Sequence, residues 1–117
     1  MEKENIVKHK SYAFARRCVR LYKYLCEEKK EYILSKQLLK CGTSIGANII
    51  EGQFGQTRAD FAAKLSIARK EAGESEFWLR LLTDEEYISK KHGESMLADC
   101  TELIKLLQSI TKTLYNK

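Results

Sequence analysis

Between Phe61 and Leu82 the apolar and small side chains recur in alternating steps of four and three, through Phe61, Leu65, Ala68, Ala72, Ser75, Leu79 and Leu82. On a helix these positions form one continuous seam, the pattern by which helices pack in coiled coils and bundles. On a strand they would scatter over both faces. Ile67, Phe77, Trp78 and Leu81 widen the apolar surface beyond that seam. A helix that is apolar on more than one side buries more than one side, so the pattern predicts a second interface and hence an oligomer.

Three further segments carry helical periodicity. The first is expected from about Lys8 to Glu28, with Phe14, Cys18, Leu21, Tyr22 and Leu25 on one face. The second runs from about Ser35, a candidate N-cap, to Gln53, with Leu38, Cys41, Ile45 and Ile49 inward. Its middle, Gly42-Thr43-Ser44-Ile45-Gly46-Ala47-Asn48, is rich in small residues, which lets a neighbouring helix come close. Gly52 and Gly55 bracket its end. Thr57 and Asp60 resemble a capping box opening the seam helix. Thr83 to His92 is polar and turn-like. The last helix is expected from about Glu94 to Tyr115, with Met96, Cys100, Leu103, Leu107, Ile110 and Leu114 on its stripe. Short connections between long helices force antiparallel neighbours. The expected fold is therefore all-α: a single antiparallel up-down four-helix bundle domain over residues 1–117.

Composition supports long helices and narrows function. No proline occurs among the 117 residues, and proline inside a helix costs about 3 kcal/mol. Residues 1–10 contain no apolar run of the signal-peptide type, and no segment approaches the roughly 20 apolar residues of a membrane span. The expectation is a cytoplasmic protein without membrane contact. The cysteines, Cys18, Cys26, Cys41 and Cys100, form no Cys-x-x-Cys, and His9 and His92 are the two histidines. The ligand pairs of a zinc site are missing, and the thiols read as buried or inert. A di-iron bundle needs Glu-x-x-His on two helices, and the sequence contains none. Phosphate-loop, nucleophile-elbow and zinc-protease motifs are also missing. No cofactor, no metal and no enzymatic activity are expected.

The charge is unevenly placed. Residues 1–30 hold nine Lys/Arg against four Asp/Glu, so the whole +5 excess belongs to the first helix. From Val7 to Cys26 there is no acid, while Lys8, Lys10, Arg16, Arg17, Arg20 and Lys23 are basic. At about 100° per residue, Arg16, Arg20 and Lys23 fall opposite the apolar face, flanked by Arg17 and Tyr24. The face lacks the acidic partners at i+4 that a merely solubilising helix carries. Tyr12 and Tyr24 border it, and basic surfaces with aromatics suit RNA. A solvated helix surface is the plainer reading.

A second polar group comprises Ser44, Asn48 and Glu51 on helix two, with Glu71, Glu74 and Ser75 on helix three. Paired carboxylates can serve as acid and base. Fixing helix register or facing solvent is the favoured alternative.

Ser44-Ile45-Gly46-Ala47-Asn48-Ile49-Ile50-Glu51-Gly52 resembles the Ser-Ile-Pro-Ala-Asn-Ile-Ala-Glu-Gly signature of a bacterial four-helix bundle family. That family takes its name from reading frames in intervening sequences of large-subunit ribosomal RNA genes. Phe61, Ser66-Ile67-Ala68, Glu71-Ala72, Glu74 and Trp78-Leu79 are similar to its third helix, and Ile110-Thr111-Lys112-Thr113-Leu114 to its closing helix. The resemblance spans essentially the whole chain. It implies a ring of up-down bundles, commonly a homopentamer, and no catalytic residues. A related branch, accessory to diversity-generating retroelements, forms basic pentameric barrels that bind RNA and a reverse transcriptase. Gly46 stands in place of the usual proline. Leu39 replaces one member of a basic pair, leaving Lys40 as the remaining cation there. The leading expectation is a homo-oligomeric RNA-binding bundle. A protein-interaction scaffold comes next, and an enzyme using Glu51, Glu71 and Glu74 last.

Overall fold

A computed structural model describes residues 2–116. Four helices follow one another: α1 (Glu2–Glu28), α2 (Leu34–Gln53), α3 (Arg58–Asp84) and α4 (Lys90–Tyr115). Each packs on its successor and α1 closes on α4, with no diagonal pairing among the described residues. The result is an up-down bundle of 47 × 21 × 19 Å. The seam expected on α3 is buried throughout, from Phe61 to Leu82. It meets Phe14, Leu21 and Leu25 of α1, Leu38, Ile45 and Ile49 of α2, and Met96, Leu103 and Leu107 of α4 in one core.

Three boundaries differ from the sequence expectation. The first helix begins at Glu2, well before Lys8, because Glu2 and Glu4 complement its positive end and Val7 is fully buried. Ser35 does not cap α2. It lies inside the helix, and the buried Glu31 caps instead: its Oε2 accepts from the Ile33 and Leu34 N–H at 3.0 and 2.9 Å, and its Oε1 from Ser35 N–H at 2.7 Å. The turn expected over Thr83–His92 is narrower, confined to residues 85–89, with helix on either side. The chain leaves α3 after Asp84, and Ser89 opens α4 by accepting the His92 N–H at 3.1 Å. Between them Glu86, at φ 65°, closes α3: the Tyr87 N–H reaches the Leu82 carbonyl at 2.9 Å and the Glu86 N–H that of Thr83 at 3.0 Å. This is the left-handed helix ending usually given to glycine.

The capping box at Thr57 forms in modified shape. Thr57 Oγ1 accepts from Asp60 N–H at 3.0 Å, and Asp60 Oδ2 accepts from Gln56 N–H at 3.2 Å. The small-residue stretch of α2 brings α1 close. A Cβ at Gly42 would lie 2.5 Å from Cys18 Sγ, and one at Gly46 would lie 3.3 Å from Ser11 Oγ. Cys18, Cys41 and Cys100 thus gather at mid-core, with Ser75 Oγ 3.3 Å from Cys41 Sγ and Cys100 Sγ donating to the Ala72 carbonyl at 3.2 Å. Burial, reinforced by the neighbouring thiols, pushes the Cys18 thiol far up, and burial pushes Cys100 up to about 12. These thiols are chemically quiet.

Candidate nucleic-acid interface

Helix α1 has three longitudinal edges outside the core. One is tied to α4. Arg17 Nη1 lies 2.6 Å from Asp99 Oδ2, and its Nη2 donates to Ser95 Oγ at 3.1 Å. Lys10 pairs with Glu102 at 3.2 Å, and Lys3 donates to Ser109 Oγ at 2.7 Å. Two of the basic residues singled out in the sequence, Lys10 and Arg17, therefore hold helices together. Their partners lie far along the chain, where the lack of a local acid gave no hint of them.

Along the outermost ridge the arrangement differs. Arg16, Arg20 and Lys23 are exposed and make no ion pair among the described residues. Lys8 shares that freedom on the α2 side. Lys40, on α2, is exposed as well. Because Gly42 faces Cys18 in antiparallel helices, Lys40 sits about level with the Val19–Arg20 turn. Tyr12, 69% exposed, stands on the α2 flank of this ridge, and Tyr24, 43% exposed, on the α4 flank. Between α1 and α2 runs an apolar groove of about 550 Å³, lined by Tyr12, Ala15, Gly46, Ala47 and Ile50 with Lys8 at its lip. The small side chains at Gly46 and Ala47 keep it open.

The polar group on α2 and α3 does not converge. Ser44 Oγ donates to the Lys40 carbonyl at 2.7 Å and Asn48 Nδ2 to that of Ser44 at 2.8 Å. Ser75 Oγ donates to the Glu71 carbonyl at 2.9 Å. Glu51 pairs across the helix interface with Lys64 at 2.8 Å. Glu71 and Glu74 make no ion pair among the described residues. None of the five cavities found among the described residues is lined by Glu51, Glu71 or Glu74. No group of three or more His, Cys, Asp or Glu among the described residues is placed to hold a metal ion. No described helix is long and apolar enough to cross a membrane.

A family model described as 23S rRNA-intervening sequence protein matches residues 3–109. The chain belongs to that family. It is also similar to a crystal structure from Bacteroides thetaiotaomicron, described as a protein of unknown function from the S23 ribosomal protein family. The two share 56% sequence identity and a TM-score of 0.92, over 94% of this chain and 98% of the other. No curated protein matches the chain significantly. The matched span includes the Ser44–Gly52 segment. In this chain the glycine that ends the segment acts sterically: a Cβ at Gly52 would lie 3.0 Å from both Lys64 Cβ and Phe61 Cδ1.

Proposed function

We propose that the protein is a non-enzymatic, homo-oligomeric RNA-binding bundle whose α1 ridge meets phosphates. The observation that carries this reading is the division of labour among the α1 cations. Lys10 and Arg17 are held by α4, whereas Lys8, Arg16, Arg20 and Lys23 make no ion pair among the described residues and stand between two exposed tyrosines. Free cations on a rigid rod suit a regularly spaced phosphate backbone. Lys40 extends the cationic surface onto α2.

Self-association is the second part of the proposal. Ile67 and Phe77 of α3 are 40% and 58% exposed, and Phe77 packs edge-on against Trp78 with ring centroids 4.9 Å apart. This strip and the α1–α2 groove are unlike surfaces on different sides of the bundle. Head-to-tail contact between unlike surfaces builds a ring when the rotation closes, and the family resemblance implies a pentamer as its commonest size. A ring multiplies the basic ridge around its axis and raises avidity. The same α3 strip favours a second reading, a scaffold that recruits a protein partner, such as a reverse transcriptase, without touching RNA.

RNA binding across a salt series separates the two. The expected result is affinity that falls steeply with salt, by roughly 0.7 log units per log unit of salt for each single-strand phosphate contacted. Arg16→Glu/Arg20→Glu/Lys23→Glu, which leaves the Arg17–Asp99 tie intact, is expected to abolish binding while keeping the oligomer. Failure of the wild type to bind even at low salt rejects the RNA reading and leaves the scaffold.

A further inference from the structure

At the end of the bundle where α1 finishes and α4 begins, two cavities adjoin. One, of about 450 Å³, is walled by Arg17, Arg20, Tyr24 and His92. The other, of about 410 Å³, is walled by Tyr24, Lys29, Tyr87 and Lys90. They share Tyr24, Ile88 and Ser89, so they form one trough crossing from α1 over the α3–α4 connection. Among the described residues Glu86 is the sole acid lining either cavity, and Arg17, fixed by Asp99 and Ser95, makes a rigid wall. Each cavity has the volume of a small-molecule site, yet both are open along the trough rather than closed pockets.

We infer that this trough is a subsite for single-stranded RNA, holding two successive nucleotides. The inference rests on the RNA-binding reading above and assigns it a place and a strand type. Tyr24 lines both cavities and Tyr87 the second, so two rings stand along the trough for unstacked bases. Tyr87 is held half-buried against the core, which fixes its ring in advance, and the left-handed turn at Glu86 delivers it there. Arg20, Lys29, Lys90 and His92 are exposed along the two cavities, where a backbone passing from one ring to the next carries its phosphates. The first turn of α4 contains no acid, so its positive end is left for a ligand anion. Rings within a concavity select single strands, because a duplex keeps its bases stacked and turned inward.

The test uses the full-length protein with a labelled twelve-nucleotide oligouridine and, separately, a blunt RNA duplex. Tyr24→Ala is expected to weaken single-strand binding about tenfold without altering its salt slope or the duplex affinity. Lys29→Ala/Lys90→Ala is expected to lower the single-strand slope by about 1.4, again sparing the duplex. Circular dichroism verifies that both variants fold. Equal losses for single strand and duplex, or no loss in either variant, overturn the trough. If Arg16→Glu/Lys23→Glu abolishes all binding while the trough variants bind normally, the trough falls and the RNA reading stands. If the wild type binds neither RNA, both fall together.

Discussion

Glu31 presents both carboxylate oxygens to three backbone N–H groups at the start of α2. Burial alone would raise its pKa, but the donors on Leu34, Ser35 and Ile33, with the Ser35 hydroxyl, outweigh it and hold the carboxyl below its ordinary value of 4.5. A group whose folded pKa is lowered stabilises the fold above its unfolded pKa, and that stability disappears as pH falls through the folded value. Glu31→Gln would turn an amide N–H₂ towards a backbone donor. It is expected to cost about 1–2 kcal/mol at pH 7, the range for a lost cap. The gap to wild type should close as pH drops below about 4.5. Urea denaturation at pH 7 and pH 3 measures both, and a gap of the same size at the two values would show that the charge plays no part. The sequence pointed to Ser35 because hydroxyl residues usually cap and because Glu31 ends a charged run. Nothing local distinguishes an acid that reaches forward to the N–H groups two to four residues on from one that faces water. Arg17 and Lys10 were opaque for a related reason: their partners are on α4, and only the folded chain brings Asp99 and Glu102 beside them.

At the scale of helices, periodicity was enough to place the cores of all four elements, since the same residues must satisfy both the 3.6-residue turn and the shared core. Their ends were harder. Residues 2–7 fell outside the expected first helix, since Ile6 and Val7 alone are apolar there, yet one buried valine and two acids at a positive end suffice for helix. The contact between α1 and α2 was legible in kind, from the small residues of α2, but not in register. The structure supplies the register by setting Gly42 against Cys18. Gly42→Ala adds a methyl 2.5 Å from that sulfur, an overpacking expected to cost about 1–3 kcal/mol against a helix-propensity gain of about 1 kcal/mol. In a Cys18→Ala background the sulfur is gone and the propensity gain remains. The cycle should then show a coupling of at least about 1 kcal/mol by thermal or urea unfolding. Additive effects would mean that the two helices shift apart freely, contrary to a tight α1–α2 contact.

The whole molecule carries more apolar surface than its own core uses. The sequence identified the excess on α3 from Ile67, Phe77, Trp78 and Leu81, and in the structure Ile67 and Phe77 are well exposed while Trp78 and Leu81 are half-covered. The α1–α2 groove was not legible in the same way, because Tyr12, Ala15, Ala47 and Ile50 belong to two helices and only their packing makes a concavity. If α3 of one copy seats in the groove of the next, a single charge on the strip should disrupt every contact of a ring at once, since each subunit gives one strip and one groove. Phe77→Glu changes an exposed side chain and leaves the seam from Phe61 to Leu82 untouched, so helix content and unfolding of the single chain should be preserved. Sedimentation at micromolar concentration is expected to show a multimer for wild type and a folded monomer for the variant. Ala47→Glu, on the groove side, should give the same monomer. Mixing the two variants would then leave some chains with an intact groove beside others with an intact strip, and a heterodimer should form at that one junction. Recovery of full rings from the mixture, or a monomeric wild type, would refute a head-to-tail assembly through these two surfaces.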